Sequence, residues 1–321
     1  MNKILLTGAS GFIGGAVYKY LLEHDVHELI VTTRSSLNHS DPFNSVVEIN
    51  AIDASTDWTD ALRFVNVVIH SAARAHIMND IAVDPLAEFR KVNTEGTINL
   101  ARQAAASGVK RFIFISSIKV NGEQTILGQP YKVEDSPAPC DAYGVSKMEA
   151  EIGLRALAEK TNMEVVIIRP VLVYGPGVKA NFLNMMSWLN QSIPLPLGAI
   201  HNKRSLVALD NLVDLINVCI DHPKAANQTF LISDDEDLST TELLQRMAKA
   251  LHKSAWLLPV PSSLLKVCAS LLGKRSIAQR LCGSLQVDIG KTRKLLNWAP
   301  PTSVDNALLK SAKYFQENVK K

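Results

Sequence analysis

The chain has 321 residues, 47% of them apolar and 20% charged, and a net charge of +3. That length supports a large core and leaves room for two lobes. The balance is that of an ordinary soluble protein, and without a long basic run nucleic-acid binding is not expected. Cys140, Cys219, Cys268 and Cys282 are scattered without metal or redox spacing, and the eight histidines form no H-E-x-x-H motif. No metal site is therefore expected, and the cysteine usage points to reduced thiols in a cytoplasmic compartment. No leader is expected ahead of a first strand that starts at residue 3. The apolar run 264–272 is too short to span a bilayer, so no membrane insertion is expected; it reads as a packed helix, with a membrane or partner surface as the alternative.

Taken in chain order, residues 3–6 read as a short buried strand. It runs into Thr7-Gly8-Ala-Ser-Gly11-Phe12-Ile13-Gly14, and a helical pattern follows through Ala16, Val17, Tyr20 and Leu21. Strand, glycine turn and helix in that order make a glycine motif credible as a dinucleotide site. Gly8 allows the tight turn, Gly11 lets backbone approach a pyrophosphate, and Gly14 lets helix pack close to strand. Phe12 and Ile13 ride in the same turn, where free N–H groups at a helix start would meet the anion. The spacing is G-x-x-G-x-x-G rather than G-x-G-x-x-G.

Residues 29–33 read as the second strand. It ends at Arg34, where an acid would hold the ribose 2′-hydroxyl of NAD. A guanidinium binds a 2′-phosphate bidentately, and Ser35 and Ser36 add hydroxyls. This favours NADP(H), while an Arg34 that stacks on adenine or faces water leaves NAD(H) open. A third strand, 46–50, leads to Asp53, which either accepts from the adenine amino group or sits solvated in its loop.

Further strands are expected at 67–70, 111–116 and 165–169, and helices at 12–23, 85–107 and 142–160. This alternation argues for a doubly wound parallel sheet covered on both faces. Ligands then sit at the carboxyl ends of the strands, where Ser116-Ser117 and Arg169-Pro170 fall. Residues 171–205 are rich in Gly, Pro and Asn, and 207–209 and 229–232 read as returning to the sheet. Ser239-Thr-Thr-Glu242 is a capping box opening a helix to about 251. Helices near 262–272, 289–297 and 303–318 follow. The expected architecture is α/β: a Rossmann-type dinucleotide domain over 1–170, with 206–232 returning to it. A smaller, mostly helical lobe comes from 171–205 and 233–321, with a ligand cleft between.

Tyr143 and Lys147 stand four residues apart on one predicted helix face. A phenol with a pKa of about 10 is a poor acid or base at neutral pH, and a nearby ammonium favours its phenolate. The pair by itself is common on solvated helices; its weight comes from the nucleotide site ahead of it.

Together the glycine turn, His70-Ser-Ala-Ala73, Val92-Asn93, Ser117 within Phe114–Gly122, Tyr143-x-x-x-Lys147 and Arg169–Pro176 resemble the extended short-chain dehydrogenase/reductase superfamily. Asn181-Phe182, Arg204–Asp210 and Val287–Pro300 extend the match nearly end to end. The set is similar to the branch acting on nucleotide sugars, typified by UDP-sugar 4-epimerases, dehydratases and 4-keto reductases, including proteins of bacterial O-antigen synthesis.

The resemblance implies that Tyr143 is the general acid/base at the sugar O4, and that Lys147 lowers its pKa and holds the nicotinamide ribose. It implies that Ser117 hydrogen-bonds O4, that Ala72 and Ala73 let backbone lie close to the cofactor, and that Pro170 borders it. Asn181 and Arg204 would contact the nucleotide diphosphate, and Pro196 would pack on uracil; Arg280, whose local spacing does not match the family cleanly, either joins that diphosphate contact or lies outside it. Asn93 is expected to hold backbone rather than substrate. Lys119 departs from the family pattern: it either meets a sugar substituent or phosphate, or is solvated. A homodimer is the family habit. Arg34 inclines the reading toward NADPH-dependent reduction of a UDP-4-keto-6-deoxy-N-acetylhexosamine. The alternatives are a UDP-glucose or UDP-N-acetylhexosamine 4-epimerase with retained NAD, and a non-catalytic NADP-sensing protein.

Overall fold

A computed structural model describes residues 1–33, 45–75, 83–273 and 275–318. Ten strands are present among them: β1 Lys3–Thr7, β2 Glu28–Thr33, β3 Val46–Glu48, β4 Val67–His70, β5 Arg111–Ile115, β6 Glu164–Pro170, β7 Leu172–Tyr174, β8 Arg204–Ala208, β9 Thr229–Ile232 and β10 Asp237–Leu238. The first half holds helices α1 Phe12–His24, α2 Pro85–Phe89, α3 Thr97–Ala106 and α4 Ala142–Ala158. The second half holds α5 Ala180–Asn190, α6 Leu209–Asp221, α7 Thr240–Ala250, α8 Ser262–Leu271, α9 Arg275–Cys282, α10 Gly290–Leu296 and α11 Val304–Asn318.

Seven strands form one sheet in the order β3-β2-β1-β4-β5-β6-β9, with every neighbouring pair parallel. The strands alternate their side chains between two apolar layers. Ile4, Leu6, Ile113 and Ile115 face a core that includes Val17 and Leu21 of α1 and Leu212 and Ile216 of α6. Leu5, Phe112 and Phe114 face Trp58, Leu100 and Ala104 and Leu154 of α4 on the other side. Burial on both faces is what makes these strands continuous apolar runs. The doubly wound α/β expectation is met.

Strand order reverses beside β1, whose neighbours are β2 and β4. At such a reversal the loops leaving adjacent strands diverge and open a crevice at the carboxyl edge. The loop after β1 is the glycine turn, and the loop after β4 carries Ala72 and Ala73.

The expected return of 229–232 to the sheet is correct: β9 pairs with β6. Residues 207–208 do not return. They belong to β8, which pairs with β7 and β10 in a separate three-stranded sheet. The intervening stretch forms α6, an apolar helix against α1. A third core, with Tyr174, Phe182, Met186, Leu244, Met247 and Phe315, lies among α5, α7 and α11. The capping box at Ser239 and Glu242 is formed in both directions. The long helix expected over 85–107 is interrupted: residues Arg90–Gly96 are π-helical between α2 and α3. That widened turn leaves room for buried Asn93, whose side chain bonds both the amide and the carbonyl of Arg74 and Ser146 Oγ.

One polar cluster ties β5, β6 and α4 together. Glu151, fully buried, takes Arg169 Nε at 2.8 Å and an Arg169 terminal nitrogen at 2.6 Å, one on each carboxylate oxygen. Ser116 and Arg155 also donate to it, and Arg169 continues to Asn121 Oδ1. Because every member is satisfied, removal of one partner strands a buried charge. Glu151→Ala is expected to destabilise the fold by about 3–5 kcal/mol, measured by urea denaturation, while an exposed control such as Lys160→Ala leaves the midpoint in place.

Candidate active site

The glycine turn is built as the sequence suggests. Gly8 has φ +75°, and a Cβ there would lie 2.7 Å from the Ala72 amide nitrogen. The two loops that flank the crevice thus touch at backbone level, which a side chain would prevent. Gly14 is a packing glycine: a Cβ on it would fall 2.2 Å from the Gly8 carbonyl oxygen. Gly11 is the residue ahead of α1 and offers no capping side chain. The first amides of the helix, at Phe12 and Ile13, are therefore uncapped by protein side chains and suited to an anion. These features fit a dinucleotide pyrophosphate.

Behind the turn lies a group that the sequence did not single out. His70 is completely buried, with Nδ1 2.7 Å from Thr7 Oγ1 and Nε2 2.9 Å from Thr97 Oγ1. Burial, aided by the charge of Lys147, pushes its pKa down to about 3. A neutral ring therefore crosslinks β1, β4 and α3 beneath the crevice.

Asp53 uses one carboxylate oxygen to accept from the amide and hydroxyl of Ser55 and from Thr56. Those bonds hold it below the usual carboxylate range. It closes its own loop, which Asn99 also grips through the Asp53 carbonyl. Arg34 lies outside the described residues.

The catalytic candidates converge at the carboxyl ends of β5 and β6. Ser117 follows β5, and its hydroxyl accepts from the Lys119 amide at 3.2 Å, opening a short 3-10 turn over Ile118–Val120. Tyr143 is the second residue of α4, and its phenol is near enough to Ser117 for that hydroxyl to favour the phenolate. Asp141 caps that helix, accepting from the Gly144 amide at 2.7 Å. Ser146 donates to the Tyr143 carbonyl and receives Asn93, so the π-helical turn steadies the start of α4. Asn93 holds backbone, as expected.

Lys147 is 1% exposed. Its Nζ donates to the Ile115 carbonyl at 2.9 Å and lies 4.4 Å above the Phe114 ring and 5.9 Å from the centre of the Tyr143 ring. Burial pulls its pKa down to about 7, opposed by Glu151 one turn further along α4. Tyr143 departs from expectation. Burial, followed by the Asp141 carboxylate, pushes its phenol above the ordinary value, and the Ser117 hydroxyl pulls only partly back. With both groups desolvated, the lysine does not by itself make Tyr143 acidic.

Lys119 is not aimed at a vacant subsite. Its ammonium pairs with Asp141 and, at 3.2 Å, with Glu123. Pro170 ends β6. Asn181 is exposed near the start of α5. Arg204 and Arg280 come together: Arg204 donates to the Arg280 carbonyl at 3.2 Å and to that of Gly283 at 3.1 Å. Burial and the Arg280 charge lower the Arg204 pKa. Among the described residues neither guanidinium has a carboxylate partner, an arrangement suited to an anion with two charges. Pro196 lines an apolar cavity with Leu265 and Leu281.

The NAD dependent epimerase/dehydratase family profile matches residues 4–233, which span the crevice, Ser117, Tyr143 and Lys147. The chain belongs to that family. It is 52% identical over 315 residues to a UDP-glucose 4-epimerase of Vibrio cholerae, covering 98% of this chain and 95% of the relative. The UDP-N-acetylglucosamine 4-epimerase of Bacillus cereus superposes with a TM-score of 0.80 at 20% identity, covering 98% of this chain and 100% of the other. The UDP-glucuronic acid 4-epimerase of the same organism, solved with NAD, gives 0.78 at 20% identity over 98% and 99%. The extended short-chain dehydrogenase/reductase resemblance is borne out. The inclination to NADP(H) is not supported by these relatives.

Glu151, Arg169 and His70 were missed as site residues. Glu151 carried a readable signal: Tyr143, Lys147, Glu151 and Arg155 recur every four residues and share one face of α4.

A buried lysine makes stability depend on pH. Between about 7 and its ordinary value the unfolded chain binds a proton that the folded chain does not. Stability therefore rises with pH across that window and is lowest below it. Urea midpoints of the apoprotein should climb from pH 7 to 8.5, and Lys147→Met should flatten that slope.

Proposed function

We propose that the protein is a UDP-hexose 4-epimerase that retains NAD. The observation that carries this reading is Tyr143, close to Ser117 and backed by buried Lys147, at the open edge of a sheet whose glycine turn suits a pyrophosphate. The extent and identity of the Vibrio cholerae relative support the substrate class and the reaction.

Gly8, Gly11 and Gly14, with the Phe12 and Ile13 amides, would hold the cofactor pyrophosphate. Ala72, Ala73 and Pro170 would border the cofactor, Asp53 would lie toward its adenine end, and Lys147 would hold the nicotinamide ribose. Bound NAD supplies a hydride acceptor for C4 and a positive charge beside the phenol. Tyr143 takes the proton from O4 as C4 is oxidised, keeps it while the keto sugar turns over, and returns it. Ser117 hydrogen-bonds O4 and stabilises charge there. Arg204 and Arg280 clamp the diphosphate, Asn181 adds a polar contact and Pro196 an apolar one. Lys119 acts by neutralising Asp141, which otherwise opposes the phenolate, rather than by touching sugar.

The reductase reading rests on Arg34 in place of an acid after β2. It requires exchange of NADPH for NADP, whereas the epimerase keeps its cofactor. Denatured protein should release NAD, and native protein should equilibrate UDP-glucose with UDP-galactose, or the N-acetylhexosamine pair, without added nicotinamide. Stoichiometric NADPH oxidation on a UDP-4-keto sugar would overturn this in favour of the reductase.

Tyr143→Phe should lower kcat by about 10²–10⁴-fold with cofactor content unchanged. Arg280→Ala should raise KM with kcat nearly constant, as expected for binding energy shared by ground and transition states. A kcat loss of the same size as the KM effect would remove Arg280 from the diphosphate clamp.

A further inference from the structure

The run 264–272 reads from sequence as a packed helix. In the structure α8 contains no buried residue. It packs on α9, yet its outer side presents Leu264, Val267, Leu271 and Leu272, exposed by 53%, 56%, 83% and 72%. The strap leading into it adds exposed Trp256 and Leu258. Beneath these, Trp188, Ile193, Leu265, Cys268 and Leu281 line an apolar cavity of about 400 Å³. Clustered exposure of this kind marks an interaction surface rather than the scattered apolar residues of a normal exterior.

Charge identifies what the surface fits. Residues 243–287 contain seven Lys or Arg and no Asp or Glu, whereas the rest of the chain has twenty-seven against thirty-one. The whole positive excess of the protein is thus concentrated in the stretch that carries the apolar face. Lys253, Lys266 and Arg275 are exposed there, and none has a carboxylate partner among the described residues. A second copy of the chain seated symmetrically on this face would bring Lys253, Lys266 and Arg275 against their own counterparts. No described helix is long and apolar enough to cross a membrane. A short amphipathic helix with exposed leucines, a neighbouring tryptophan and basic flanks suits the interfacial zone of a bilayer.

We propose that the face formed by α8 and the 255–261 strap docks on an anionic lipid bilayer. Leucine, valine and tryptophan side chains enter the headgroup–acyl boundary while Lys266, Lys253 and Arg275 meet lipid phosphates. The next helix, α9, carries Arg280, so docking holds the diphosphate-binding side of the proposed site close to the membrane surface.

The test is flotation of the full-length protein with phosphatidylglycerol-rich vesicles and with phosphatidylcholine vesicles, at low and high salt. The expected result is recovery with the anionic vesicles only, weakened by salt. Lys266→Gln should reduce recovery about fivefold, the effect of one cation near an anionic surface. Val267→Glu with Leu271→Glu should abolish it. All variants should keep their urea midpoints and solution turnover, since these side chains are exposed and lie outside the proposed machinery. Equal recovery on both vesicle types, or none on either, would overturn the proposal. So would a dimer, seen by sedimentation, that the double glutamate variant dissociates, for a second copy would then cover the face.

Discussion

A lysine ammonium buried at the carboxyl edge of the central sheet is the constraint around which the site is organised. An isolated charge there would be prohibitive, and each neighbour of Lys147 answers that problem. The Ile115 carbonyl accepts a hydrogen bond, the Phe114 ring lies under the nitrogen, and Glu151 supplies a countercharge one turn away. Glu151 is itself affordable only because Arg169 and Ser116 saturate its oxygens. Three elements, β5, β6 and α4, are thereby locked in the register that sets Ser117 opposite Tyr143. Burial, reinforced by the same lysine charge, keeps His70 neutral, which allows that ring to serve as a crosslink between threonines.

The two halves of the acid–base pair are both held away from their ordinary titration ranges, in opposite senses. Lysine is pulled toward neutrality, and tyrosine is pushed away from ionisation. Desolvation is the first cause of each, so the protein alone does not produce a phenolate. A positive charge brought into the pocket would favour the Tyr143 phenolate, and the oxidised nicotinamide proposed to bind there would supply one. On the proposed 4-epimerase reading, the proton-accepting state would in this way be linked to oxidised cofactor, as a first step that removes hydrogen from a carbinol requires. The pairing of Lys119 with Asp141 belongs to the same balance, since Asp141 is both the helix cap and the carboxylate that opposes ionisation.

Sequence reading located the parts of this arrangement that follow from local rules. The glycine turn, the parallel strands and the Tyr143–Lys147 face each depend on spacing within one element, and each was legible. What escaped was created by chain segments meeting. The π-helical turn at Arg90–Gly96 looks like continuous helix in composition, and only the pairing of Asn93 with Ser146 explains its wider turn. Residues 207–208 have the apolar character of a central strand, but they pair with β7 in the small sheet, because the stretch that follows forms α6 over α1. Lys119 shows the converse limit. Proximity to Ser117 in sequence suggested substrate, whereas the fold brings two carboxylates closer. Arg280 was doubtful by spacing and gains its place from Arg204, seventy-six positions away.

The distribution of charge in the second half separates two kinds of positive group. Arg204 is largely buried, and its like-charged neighbour Arg280 makes it less basic, which is unfavourable unless an anion enters between them. Lys253, Lys266 and Arg275 are exposed, and nothing in the fold requires them to be positive. Charges of the first kind would be answered by the diphosphate proposed to bind there. Those of the second kind surround an apolar helix that contributes no buried residue to the core, so neither stability nor turnover accounts for them. Arg246 of the acid-free stretch 243–287 pairs with Glu236 and Asp305, but Lys253, Lys266 and Arg275 are left with an excess of positive charge and no carboxylate partner among the described residues. Such an excess is physically reasonable where the opposing surface is itself a sheet of negative charge, as an anionic bilayer is.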